Sequence, residues 1–141
     1  ATTLHAGDVM TQEGKQTRLS GKHVVVRSSI GFFGFAAGPH VHVVDIYGLS
    51  EALLARLPAM PGWRIGHFER DIPEGYLETL EGGKNLIQNK DLALYYDKLH
   101  YVIRGPLFNA RRLIEIWKLN IGAYDYLLRN YSRGLQIHSK R

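Results

Sequence analysis

The chain has 141 residues and a formal net charge of +5, enough for one domain with one core and too short for two comfortable ones. Without cysteine it has no disulfide and no thiolate metal site, and no apolar run approaches the eighteen or so residues of a membrane helix. Basic charge favours anionic partners, such as phosphorylated lipid, an acidic membrane surface or nucleic acid, or serves solubility alone.

Residues 1–22 are polar and rich in Gly and Thr. They read as a lead-in segment with at most a short irregular strand. The N-terminus has no apolar signal region, and a chain that starts at Ala1 instead of Met points to a processed product or a piece of a longer protein. Residues 23–58 form the α/β unit. Val24, Val25 and Val26 lie between Gly21 and the Ser28–Ser29 pair, the signature of a short buried strand. Gly31, Gly34 and Gly38 punctuate an aromatic and alanine run that predicts a short helix packed closely on the sheet. Gly38–Pro39 ends it. Val41–Ile46 is the second strand, Tyr47–Gly48 a turn, and Ser50 a suitable N-cap for a helix over 51–57 that Pro58 stops. Strand, crossover, strand, helix is the grammar of a parallel α/β unit.

Residues 59–90 read as a loop and a short helix. Asp71 and Glu74 have capping-box spacing for a helix over 73–80, closed by Gly82–Gly83. Residues 91–133 predict a helical hairpin. Leu92, Tyr95, Tyr96, Leu99, Val102 and Ile103 share one face, with Asp91 as cap. Gly105–Pro106 breaks the chain and Asn109 caps a long helix. Its stripe of Leu113, Trp117, Asn120, Tyr124, Leu127 and Tyr131, widened by Ile116 and Leu128, reads as a core face ahead of a partner surface, with a bend near Gly122. Residues 134–141 form a basic tail. The expected core is Val24, Val26, Val41, Val43, Leu53, Leu99, Leu113 and Trp117, and a buried Trp117 would cost about 3–5 kcal/mol on truncation to Ala. The fold class is therefore α/β: a small sheet on a strand–turn–strand–helix unit, then a helical hairpin, all in one domain.

Three groups of side chains invite a chemical reading. His40 and His42 are two apart on a strand and point the same way. Imidazole suits zinc or iron, but Asp45 has the opposite parity and spacing fixes no third ligand, so polar residues at the mouth of a sheet are the simpler reading and no metal is assigned. Asp45 ends a strand, where α/β sheets bind ligands. The loop carries Trp63, Arg64, His67, Glu69 and Arg70 beside Phe68. Aromatic faces stack on sugars and Arg forks onto phosphate or carboxylate, so these residues are ligand-binding candidates. A local ion-pair cluster pinning the loop to the body is the simpler reading of them. His67 with Asp45, Glu69 or Asp71 could form an acid/base pair, yet no nucleophile accompanies them, and no catalytic residue is assigned. The glycine spacing is not a dinucleotide fingerprint, no phosphate-loop lysine follows, and no Ser stands in a nucleophile elbow. No RNA-binding signature appears, so no nucleic-acid partner is expected. Nothing calls for a cofactor.

The run Gly34–Pro39, the strand Val41–Asp45, Gly48–Pro58 (GLSEALLARLP) and Gly66–His67 resemble the soluble C-terminal region of bacterial multi-span glycosyltransferases of the GT-C architecture. The similarity is to the terminal arabinofuranosyltransferase-like group of actinobacteria. The later stretches YYDKLHYVIRGPLF and RLIEIWKLNIGAYD extend it over about residues 24–132. The resemblance implies an extracytoplasmic accessory domain, attached to the membrane through an upstream segment. The full enzyme would transfer sugar from a polyprenyl-phosphate donor to a growing glycan, with its catalytic acid upstream. This domain would then help recognise the acceptor glycan or support the active site, and would not be catalytic alone. Two other readings stand beside it: a free-standing carbohydrate- or phosphate-binding protein, and a small soluble enzyme using His67 with Asp45 or Glu69.

Overall fold

A computed structural model describes residues 5–60 and 67–138. The described elements are α1 (Ala6–Leu19), β1 (Val24–Arg27), α2 (Gly31–Ala37), β2 (His42–Asp45), a 3₁₀ turn (Leu54–Arg56), α3 (Tyr76–Gly82), α4 (Lys90–Arg104), α5 (Ala110–Asn120) and α6 (Asp125–His138). The α/β class with a helical C-terminal region is as the sequence predicts. β1 and β2 pair in parallel, with Val24 opposite His42, Val25 opposite Val43 and Val26 opposite Val44. Residues 28–41 make the crossover, and α2 is its short helix.

The period of two along each strand divides the side chains between two layers. Val24 and Val44 join the larger core with Leu53, Leu54, Tyr76, Leu92, Tyr95, Leu99, Leu127 and Tyr131. Val25 and Val43 face a smaller cluster of Phe33, Ala37, Val41 and Met10 beneath α1 and α2. Arg27 lies over that layer, its guanidinium 4.3 Å from the Phe33 ring centre and 3.2 Å from Glu13. The sheet therefore sits between an α1/α2 layer and the α3/α4/α6 layer.

Several expectations are corrected. The lead-in segment is helical from Ala6. It lacks an apolar stripe because glycine contact replaces one: a Cβ on buried Gly14 would stand 2.4 Å from the Phe33 carbonyl oxygen. Two helices can approach that closely only where one carries no side chain. The helix expected over 51–57 shrinks to a single 3₁₀ turn, and Ser50 does not cap it. Instead the Ser50 backbone N–H donates to Asp45 Oδ2 at 3.1 Å. α3 is entered through Gly75 in the left-handed region, at φ +82°, and not through an Asp71 box. Asn89, not Asp91, caps α4 by accepting from the Leu92 N–H at 3.0 Å. Asn109 does cap α5, accepting from the N–H groups of Arg111 and Arg112.

The long C-terminal helix is two. Gly122 at φ +73° turns the chain between α5 and α6, and this turn rotates the stripe. Leu127 and Tyr131 enter the core, but Leu113 and Trp117 are 62% and 61% exposed. Val26 is also exposed. The α5 face turned inward instead carries Glu115, held by Tyr124 and flanked by Lys98 at 4.0 Å and Lys118 at 3.7 Å. A buried carboxylate with these partners is satisfied, so α5 packs through Glu115 and Leu119 and leaves Leu113 and Trp117 outside.

Candidate ligand groove

β2 ends in a turn organised by Asp45. The Asp45 carboxylate is buried and both oxygens accept from backbone: Oδ1 from the Tyr47 N–H at 3.0 Å, Oδ2 from the Leu49 and Ser50 N–H groups at 3.0 and 3.1 Å. A carboxylate with this many donors is spent on its own loop. The turn then swings Glu51 back beneath the sheet, where it meets His42.

His42 is on the face of β2 that looks toward α3 and α4. Its Nε2 donates to Glu51 Oε2 at 2.7 Å, and Tyr76 of α3 donates its hydroxyl to Glu51 Oε1 at 2.5 Å. Glu51 is 5% exposed. Burial pushes its carboxyl pKa up, but the hydrogen bonds from His42 and Tyr76 outweigh burial and hold it below the ordinary glutamate value. Burial, followed by the bond to Glu51, raises the Tyr76 phenol well above its usual value. Glu51 is thus an ionised buried carboxylate with a side-chain donor on each oxygen. It fixes the His42 ring, whose side chain remains 34% exposed on the groove.

Across from His42 the wall is α4. Asp97, His100 and Arg104 follow three and four residues apart, so they line one edge of the helix, and all three are exposed. Tyr96, buried, and His100, exposed, have ring centres 5.6 Å apart and planes tilted by 35°, beside the charged edge. Asn85 also lines the groove and donates to the Ala93 carbonyl and to Asp97 Oδ1, each at 2.8 Å. His23 and His40 line it as well. The groove is open to solvent and has a volume of about 650 Å³, within the range of small-molecule sites.

The candidates from the sequence fall in different places. His42 lines the groove but bonds Glu51, and exposed His40 lies on the rim. Among the described residues no three His, Asp or Glu side chains gather as a metal site. His67, Glu69 and Arg70 lie on the far side of the Asp45 turn. The His67 ring meets Tyr47 edge to face at 5.1 Å. Arg70 Nη1 donates to the carbonyls of Tyr47 and Phe68, and the Arg70 N–H donates to the Ile46 carbonyl at 2.9 Å. The Glu69 carbonyl accepts from the Met60 N–H at 2.8 Å. This cluster fastens the loop to the end of β2. Trp63 and Arg64 lie outside the described residues. The groove is built instead from Glu51, Tyr76, Asp97, His100 and Arg104, which no local motif marks.

Chemically the groove presents a carboxylate, an amide, imidazoles and a guanidinium around a partly aromatic floor. It offers both donors and acceptors, and each oxygen of its one buried carboxylate is already engaged. That suits recognition of a hydroxyl-rich molecule better than proton transfer to it. No protein-family model matches the chain, and neither a curated protein nor a solved structure is significantly similar to it. Among the described residues no helix is long and apolar enough to cross a membrane.

Proposed function

We propose that this chain is a glycan-recognition domain acting as an accessory part of a membrane glycosyltransferase. It would work at the extracytoplasmic face, where the rest of the enzyme handles the polyprenyl-phosphate sugar donor. The glycosyltransferase context rests on the resemblance of residues 24–132 to the C-terminal region of the GT-C terminal arabinofuranosyltransferase-like group. Support for glycan recognition comes from one observation: His42, oriented by Glu51 and Tyr76, faces the Asp97–His100–Arg104 edge across a groove of about 650 Å³. Sugar hydroxyls both donate and accept, and their ring faces are apolar. A wall of mixed donors and acceptors beside the Tyr96–His100 rings matches both properties. The domain contributes acceptor binding and orientation, and leaves bond-making to the upstream part of the enzyme.

Isothermal titration calorimetry with arabinofuranosyl oligosaccharides tests this. Binding by the wild-type chain, reduced at least ~10-fold when the exposed pair His100→Ala and Arg104→Ala removes about 1.4 kcal/mol or more of contact, supports it. Heat from inorganic phosphate and none from any oligosaccharide would favour the free-standing phosphate-binding alternative, which the four groove histidines and Arg104 make chemically coherent.

A further inference from the structure

We infer that α5 is a membrane-surface helix that docks the domain on an anionic lipid bilayer. The inference does not depend on the groove. An amphipathic helix normally buries its apolar stripe; α5 packs Leu119 against the core and buries Glu115, but leaves most of its apolar row outside. Leu113, Trp117 and Ile121 recur every four residues, Ile114 widens the row, and all four are at least half exposed. The inward side carries Leu119, against the core, and Glu115, with Lys98 of α4 and Lys118 beside it. Leu107 and Phe108 lead into the helix, and Phe108 is fully exposed. Six large apolar side chains on one short segment exceed the scattered exposure usual on a monomer surface.

The flanking charge selects the occupant. Residues 104–121 contain Arg104, Arg111, Arg112 and Lys118 against the single acid Glu115, and that acid is buried and ion-paired. Arg104 and Arg111 are exposed, with the Arg111 guanidinium 5.2 Å from the Tyr101 ring. An apolar arc with a tryptophan, bordered by arginine, is the composition of a helix lying in the plane of a lipid interface. There the apolar side chains enter the acyl boundary and the cations meet headgroup phosphates. Two copies of this face brought together would oppose their own arginines, which argues against a self-association surface.

The test uses the 141-residue chain with phosphatidylglycerol and phosphatidylcholine vesicles at low salt. Sedimentation should carry the chain with the anionic vesicles. A Trp63→Phe background, which leaves Trp117 as the one indole, should show a blue shift on addition of those vesicles. Leu113→Asp with Phe108→Asp should lower partitioning at least ~10-fold without lowering the melting temperature, since both positions are exposed. Arg104→Gln and Arg111→Gln should each lower it roughly fivefold, the weight of one cation near an anionic surface. Absence of the wild-type chain from the anionic pellet would overturn the inference. Equal partition into both vesicle types would overturn the role of charge. A Trp117 blue shift that follows protein concentration without lipid would assign the face to a second copy instead.

Discussion

Tyr76→Phe is the sharpest probe of the groove, because it deletes one oxygen and leaves the ring. Tyr76 is 1% exposed, and its hydroxyl supplies one of the two side-chain donors to the buried Glu51 carboxylate. Loss of a buried hydrogen bond to a charged group costs about 1.5–3 kcal/mol. With an unfolding entropy of about 2.1 cal/mol/K per residue over a chain of this length, each kcal/mol lowers Tm by roughly 3 °C, so the variant should melt roughly 5–10 °C lower at pH 7. The difference should depend on pH. Glu51 titrates below its ordinary value of 4.5 in the folded protein, so its contribution is present above that value and lost as pH falls through the depressed one. Tyr76→Phe removes part of that depression, and its gap from wild type should narrow toward pH 3. Thermal melts followed by circular dichroism from pH 3 to 8 measure this. A loss that stays equal at pH 3 and pH 7, or a shift under ~2 °C throughout, would refute the Tyr76–Glu51–His42 network as an ionised unit.

Other consequences follow from burial and backbone geometry. Trp117→Ala should cost under about 1 kcal/mol in urea denaturation, against about 2–5 kcal/mol for Leu53→Ala in the core; equal costs would return Trp117 to the interior. Gly75→Ala should destabilise by more than about 1 kcal/mol, because φ is +82° and the new Cβ would stand 1.9 Å from the Leu86 carbonyl oxygen. A neutral outcome would mean that the turn into α3 is misplaced. Above pH 10 stability should fall. Burial and the bond to Glu115 push the Tyr124 phenol up to about 12, and Tyr76 is raised as well. The unfolded chain therefore releases these protons first, and folding stability is lost as pH climbs from 10 through the folded values. Tyr124→Phe should flatten that decline between pH 10 and 12, and an unchanged slope would contradict the Tyr124–Glu115 contact.

Legibility in the sequence tracked how local each determinant is. Three consecutive valines and VHVVD announce the two strands, because a short β-branched run between turn residues has few other uses. Asn109 and the Gly82–Gly83 and Gly105–Pro106 stops were legible for the same reason. α1 was not, since its anchor is an absent side chain at Gly14 and not an apolar stripe. The α5 stripe is visible but its direction is not: periodicity locates a face without saying what covers it, and after the Gly122 turn α6 supplies Leu127 and Tyr131 to the buried core while α5 adds only Leu119 at its edge. In the groove, His42 stood out as a histidine near a strand end. Its partner Glu51 lay inside an expected helix, and Tyr76, Asp97 and His100 belong to helices whose approach is set by tertiary packing. Asp45 is legible at the end of a strand, and the reason for its burial is the turn it holds.

The most direct measurement is a ¹⁵N–¹H NMR titration of the chain with an arabinofuranosyl oligosaccharide. Shifts should concentrate on His40, His42, Asn85, Asp97, His100 and Arg104, and disappear in the His100→Ala, Arg104→Ala pair. Saturating oligosaccharide with no shift at these positions, or shifts confined to another surface, would contradict glycan recognition by the groove.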